Sequence, residues 1–185
     1  MDEVDHILVY LARHPGVGIT YTRTSDEYRG FADASWLVRN STSGRVSLWC
    51  EAALSWASRT QHSIALSSCE AEIVALSEAA KDVVYFRRFL RGLNPLYISG
   101  PTSLATDNKG ARDSSYNPTN HDRMKHVARR HYFIRDMVEN FEIVVPYVNT
   151  ADNIADFFTK PVEGAKFYAF RAVLMNESGR RAAEA

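Results

Sequence analysis

Apolar positions recur along the chain in two periods. Val4, Ile7, Leu8 and Leu11 fall at helical spacing before Pro15-Gly16, which predicts a short amphipathic helix over 3–13. Residues 18–22 (GITYT) read as a short strand. Three strand-like runs follow at 30–36, 45–50 and 53–58, separated by the turn-rich segments 39–44 and 51–52. Their close spacing predicts an antiparallel meander. A long helix is predicted over about 68–91, closed by Gly92 and Pro95. Then come a strand at 102–106, a helix at 107–115, a break at 117–120 and a helix from 121 to about 140. A strand at 142–147, a short helix at 152–159 and a last helix at about 163–175 complete the pattern. Three strands followed by alternating helices and strands predict an α/β domain with a mixed sheet, the later strands parallel to the first.

The pattern also marks acids in awkward places. Asp33 interrupts an apolar strand, and strands disfavour Asp; the alternative is a turn Asp. Steps of three and four from Glu72 give Leu76, Ala79, Val83, Phe86 and Leu90, an apolar stripe that faces a sheet. The same steps from Glu70 give Val74, Ser77, Lys81, Val84 and Arg88, so Glu70 is expected to be solvated or to sit near the helix N-terminus. Glu72 therefore needs a partner, because a lone buried carboxylate is costly; a buried Arg or Lys is the alternative to a metal. Asp107 ends a strand and opens a helix, where an N-cap role competes. Asp156 lies between Ile154 and Phe157-Phe158, with an exposed helical position as its alternative, and Asp152 reads better as an N-cap. In an α/β sheet, strand ends and helix starts converge on one edge. Four carboxylates there, without His or Cys, suit two Mg²⁺ ions, with Mn²⁺ as a substitute. Such a pair of ions is a phosphodiester-cleaving arrangement.

Composition narrows the reading without naming a partner. The 185 residues are 45% hydrophobic and 11% aromatic, enough for a core. Lys plus Arg and Asp plus Glu are 22 each, so any nucleic acid must be held by a local patch. Residues 121–135 supply one: Arg123, Lys125, Arg129, Arg130 and Arg135 against Asp122 alone. A solvated basic face is the alternative. His121, His126 and His131 recur every five residues, which spreads them around a helix rather than making a metal face. Ser67, Ser68 and Asn108 flank the acids and suit sugar hydroxyls and phosphates, and Lys109 suits phosphate. Trp56 is expected in the core, with stacking on a deoxyribose as the alternative. Cys50 and Cys69 read as buried free thiols inside regular structure. No basic leader precedes an apolar run, and nothing approaches about 18 apolar residues in a row. The expectation is a soluble, cytoplasmic chain without a membrane partner, with a virus-like particle or the nucleus as other destinations.

The segments GFADASW (30–36), STSGRV (41–46), LSWASRTQHSIALSSCEAEIVALSEAAK (54–81), TDNKGA (106–111), RMKHVARRHYFIRD (123–136) and YVNTADNIADFFTKP (147–161) occur in that order. In this the sequence resembles the ribonuclease H domain of copia-type LTR retrotransposon polyproteins. The resemblance implies a ribonuclease H-like fold, a five-stranded mixed sheet with three antiparallel strands first and helices on its flanks. It implies an endoribonuclease that cuts the RNA strand of RNA–DNA hybrids and leaves 5′-phosphate and 3′-hydroxyl ends. The implied catalytic and metal-binding residues are Asp33, Glu72, Asp107 and Asp156. Lys125 and His126 recur in the motif and are expected near the site with Arg130. Ser35 replaces a usual Asp, and Lys109 replaces a usual Gln. The loop at 149–151 lacks the His that some cellular ribonucleases H carry. The implied organisation is a 1–17 linker from a reverse transcriptase, a ribonuclease H domain at 18–161, a C-terminal helix at 162–176 and a disordered tail at 177–185. A reverse transcriptase domain of the same polyprotein is the expected partner. Two rivals remain: a hybrid-binding module that does not cut, and a DNA recombinase on the same fold.

Overall fold

The computed structural model describes residues 2–22, 27–37, 39–117 and 128–179. Helix α1 (Glu3–Arg13) precedes strands β1 (Arg29–Ser35), β2 (Thr42–Trp49) and β3 (Ala52–Thr60). Helix α2 (Ser68–Leu93), strand β4 (Thr102–Ala105), helices α3 (Lys109–Tyr116) and α4 (Ala128–Glu139), strand β5 (Ile143–Val144) and helix α5 (Gly164–Met175) follow. A 3₁₀ turn spans Ile154–Phe158. The five strands form one sheet in the order β3-β2-β1-β4-β5, with β1 to β3 antiparallel and β4 and β5 parallel to β1. This is the expected mixed sheet.

Alternation along β1 divides the molecule into two layers. Position 30 faces α2: a Cβ there would lie 3.0 Å from Val83 and from Leu104. Ala32 joins the same core, with Leu76, Val83 and Leu90 of α2 and Ile134 of α4. Phe31 points the other way, into a second core with Val46, Leu48, Ile154, Phe170 and Leu174. Gly44 pairs with Asp33 and lets this second layer approach closely. A Cβ on it would meet Thr159 at 2.5 Å and the Ala155 carbonyl oxygen at 2.8 Å. Strand β2 starts at Thr42, although 39–44 reads as turn, because residues 42–44 pair with β1 on one side and β3 on the other. The same paired segment both forms a strand and carries the small residues a packed face needs.

Several expectations change. Residues 18–22 form no strand. Thr20 N–H donates to the Met175 carbonyl and Thr22 N–H to that of Cys50, so the segment straps α5 and the β2–β3 turn instead of joining a ladder. Strand β5 has only two residues, because Pro146 offers no N–H; an isolated bridge from Thr106 to Tyr147 continues the direction. Cys50 forms no disulfide, as expected, but it sits with Glu51 in a two-residue turn at φ 50° and 62° rather than within a strand. Trp56 is half exposed on β3 rather than in the core. The stripe starting at Glu70 is also buried at Glu70, Val74, Ser77 and Val84. At Glu70 the reason is a covering loop, from which Leu66 N–H donates to Glu70 Oε2 and Gln61 to the Ala71 carbonyl and Ser43 Oγ, while Val74 packs in the core with Ile134 of α4. Residues 177–179 are not a loose tail. Glu177 pairs with Arg171 at 2.8 Å, and Gly179 N–H donates to Asn176 Oδ1. Residues 121–127, the first part of the expected helix, and 180–185 lie outside the described residues. Among the described residues no helix is long and apolar enough to cross a membrane.

Candidate metal centre

Each candidate acid reaches the sheet edge by a different device. Asp33 stands late in β1 and is buried. Glu72 is one turn into α2, whose N-cap is Ser67, with Ser67 Oγ accepting the Glu70 N–H at 3.2 Å. Asp107 follows β4. The N-cap of α3 is Asn108, whose Oδ1 accepts the Ala111 N–H at 2.9 Å. The capping duty that competed for Asp107 thus falls on its neighbour. Likewise Asn153, not Asp152, caps the 3₁₀ turn.

One oxygen from each of Asp33, Glu72 and Asp107 lies within 4.8 Å of the others. Glu72 Oε1 accepts the Ala34 N–H at 3.3 Å, while among the described residues Oε2 is buried without a hydrogen-bond partner and no Arg or Lys pairs with Glu72. Three gathered carboxylates, one of them with an unpartnered oxygen, are the donor set a hard cation fits. Burial, with the nearby charges of Asp33 and Asp107, raises the Glu72 pKa to about 9. Burial also raises Asp33, to about 6, against the hydrogen bond from Thr159; the charges of Asp156 and Asp107 add to the rise. Thr159 Oγ1 donates to Asp33 Oδ2.

Asp156 is fully buried beside this group, and its charge is felt at Asp33 and Glu72. Its own oxygens are engaged elsewhere: Lys160 Nζ lies 2.8 Å from Oδ1 and Lys166 Nζ 2.8 Å from Oδ2. Burial opposes ionisation of Asp156, but the two ammoniums outweigh it and hold the carboxyl below its usual value. Asn153 fixes the turn to β1, its Nδ2 donating to the Ala32 carbonyl at 3.1 Å, next to Asp33.

The expected substrate contacts are only partly gathered here. Asn108 and Lys109 adjoin Asp107; Lys109 is exposed, its ammonium 5.3 Å from the Tyr147 ring centre. Ser67 and Ser68 are exposed at the start of α2. Arg130 reaches Ser63 Oγ at 3.4 Å, which brings α4 to the loop before α2. Lys125 and His126 lie outside the described residues. Glu70 does not join the acids, since its Oε2 accepts the Leu66 N–H at 2.7 Å. Sequence reasoning missed Thr159, Lys160, Asn153 and Lys166. The first two stand in the quoted TKP motif, of whose neighbourhood only Asp156 was used. Asn153 had the signal of an Asn ahead of a short helix, and Lys166 had none.

No protein-family model matches the chain. It is 32% identical over 173 residues to the retrovirus-related Pol polyprotein from transposon TNT 1-94 of Nicotiana tabacum, covering 90% of this chain and 13% of the relative. It is 31% identical over 169 residues to that from transposon RE2 of Arabidopsis thaliana, covering 89% and 12%. The chain is a homologue of copia-type transposon Pol polyproteins. It spans about an eighth of the length of these relatives. Among solved structures, RNase H1 from Halobacterium salinarum NRC-1 aligns with a TM-score of 0.54 at 13% identity, over 72% of this chain and 94% of that one. LC11-RNase H1 in complex with an RNA/DNA hybrid aligns with a TM-score of 0.53 at 13% identity, over the same shares. The fold of this Pol homologue is that of ribonuclease H.

Proposed function

We propose that this domain is a metal-dependent endoribonuclease that hydrolyses the RNA strand of RNA–DNA hybrids. One observation carries the reading: oxygens of Asp33, Glu72 and Asp107 converge within 4.8 Å, and Glu72 has a buried oxygen with no hydrogen-bond partner among the described residues. These three would hold Mg²⁺ or Mn²⁺, and Asp156 would be the fourth ligand. Bound, such a pair of ions supplies an activated water and charge stabilisation for the leaving 3′ oxygen, giving 5′-phosphate and 3′-hydroxyl ends. The chain's own residues do the rest. Thr159 fixes one oxygen of Asp33, and Ala34 N–H fixes one oxygen of Glu72, which leaves the remaining oxygens for the ions. Glu72 holds a proton at neutral pH until a cation displaces it. Ser67, Ser68, Asn108, Lys109 and Arg130, with Lys125 and His126, are the proposed hybrid contacts. The hybrid in the LC11-RNase H1 complex and the Pol context of the homologues support that partner class. They also support a reverse transcriptase domain of the same polyprotein as neighbour.

A module that binds hybrid without cutting is the second reading. The grip of two lysines on Asp156 favours it. The test is cleavage of labelled hybrid, duplex RNA and duplex DNA in Mg²⁺, Mn²⁺ or chelator. Cleavage of hybrid RNA alone, abolished by chelator, is expected. Binding without cleavage in either metal would establish the second reading, and cleavage of duplex DNA would point to recombinase chemistry.

A further inference from the structure

Helix α5 lies after the last quoted motif, yet it sends a charged group into the acid cluster. Lys166, in its first turn, places Nζ 2.8 Å from Asp156 Oδ2 and 3.3 Å from the Thr150 carbonyl. Its ammonium also lies 5.0 Å from the centre of the Phe170 ring, one turn further along the helix. Asp156 has no exposed side-chain surface, and Lys160 already takes its other oxygen. Each oxygen of the fourth acid therefore has an ammonium 2.8 Å away, and of the two only Lys166 makes a hydrogen bond to it. An ion that is to use Asp156 as a ligand must share an oxygen with a lysine or displace it.

The helix is not a loose appendage from which Lys166 happens to hang. Phe170 and Leu174 belong to the core on that face of the sheet. Arg171 pairs with Glu177, and Asn176 donates to the Thr20 carbonyl and to Thr22 Oγ1. Tyr10 of α1 packs edge-on against Phe167. The lysine is thus delivered from a fixed frame, tied to the segment ahead of β1.

We infer that Lys166 is a positioning residue that competes with a divalent cation for Asp156, so that α5 sets how readily the second metal position fills. The inference rests on the metal reading above. The Asp33–Glu72–Asp107 group, which no lysine contacts at such distances among the described residues, fills first. Asp156 engages an ion more tightly when Lys166 lets go of Oδ2. Removing the ammonium leaves Asp156 Oδ2 free and takes one positive charge from the neighbourhood of the ion.

The test is Mn²⁺ binding to the whole chain, with free Mn²⁺ counted by electron paramagnetic resonance. Wild type is compared with Lys166→Met, which keeps the apolar stem, and Lys166→Arg, which keeps the charge. A thermal melt of each verifies the fold, and Lys166→Gln replaces the Met variant if that one melts early. Wild type is expected to bind one ion well and a second more weakly. Lys166→Met should tighten the second ion roughly 10-fold, the scale on which groups around a ligand tune metal affinity, and leave the first unchanged. Lys166→Arg should follow wild type. A second-ion affinity that is unchanged or weakened in Lys166→Met overturns the inference alone. Absence of any Mn²⁺ binding to wild type overturns the metal reading and the inference with it.

Discussion

Glu72 concentrates the cost of the site in one residue. It is buried and has one oxygen without a partner, so its proton is held until about pH 9. An ordinary Glu titrates near about 4.3. A carboxyl whose folded pKa is raised contributes its stability below the unfolded value and loses it as pH climbs to the folded one. Without metal, stability is therefore expected to fall between about pH 4 and about pH 9, with Asp33 contributing up to about pH 6. Glu72→Gln should flatten that fall. Thermal unfolding in chelator at pH 5, 7 and 9 measures it, each kcal/mol being worth about 2–4 °C for a chain of this size. The variant should match wild type at pH 5 and exceed it at pH 9, and parallel pH profiles would contradict the assignment. The same protonation predicts why a cation is needed: it replaces the proton that neutralises three converging acids.

At the scale of elements, the site depends on how closely the 154–159 segment approaches β2. Gly44 permits it, since any side chain there would strike Thr159, Ala155 and Phe158. Gly44→Ala is expected to cost roughly 1–3 kcal/mol, the range for overpacking, and to slow cleavage by moving Thr159 off Asp33. Gly92→Ala, with nothing near its Cβ, is the control and should be neutral or slightly stabilising. A melting temperature and cleavage rate for Gly44→Ala equal to those of Gly92→Ala would show that the close approach is unimportant. Elements of this kind explain what was legible in the sequence. The choice of Glu72 over Glu70 followed from helix period, because the core buries the Glu72 stripe of α2, with Phe86 alone in it partly exposed. Burial of Glu70 did not follow, because the loop that covers it, 61–67, carries no period. Residues 18–22 alternate like a strand, but a ladder needs a partner and their hydrogen bonds go singly to Met175 and Cys50. The grip on Asp156 could not be read either. Lys160 is four residues away, but Lys166 comes from a helix whose direction is set by Phe170 and Leu174 in the core.

Across the whole molecule, three elements that are far apart in sequence bring their acids to one edge of a sheet. A neutral chain has no bulk charge with which to hold them. It uses burial, protons and two lysines instead. The claim that this edge cuts RNA rests most directly on Asp33. Asparagine has nearly the same shape and can still accept from Thr159, so Asp33→Asn should fold as wild type does. The decisive measurement is the rate of RNA cleavage in a labelled RNA–DNA hybrid, at fixed Mg²⁺, by Asp33→Asn beside wild type. Loss of a metal ligand should lower the rate by more than about 100-fold, beyond the range for groups behind the ligands, while hybrid binding persists. Equal rates would contradict the assignment of this centre.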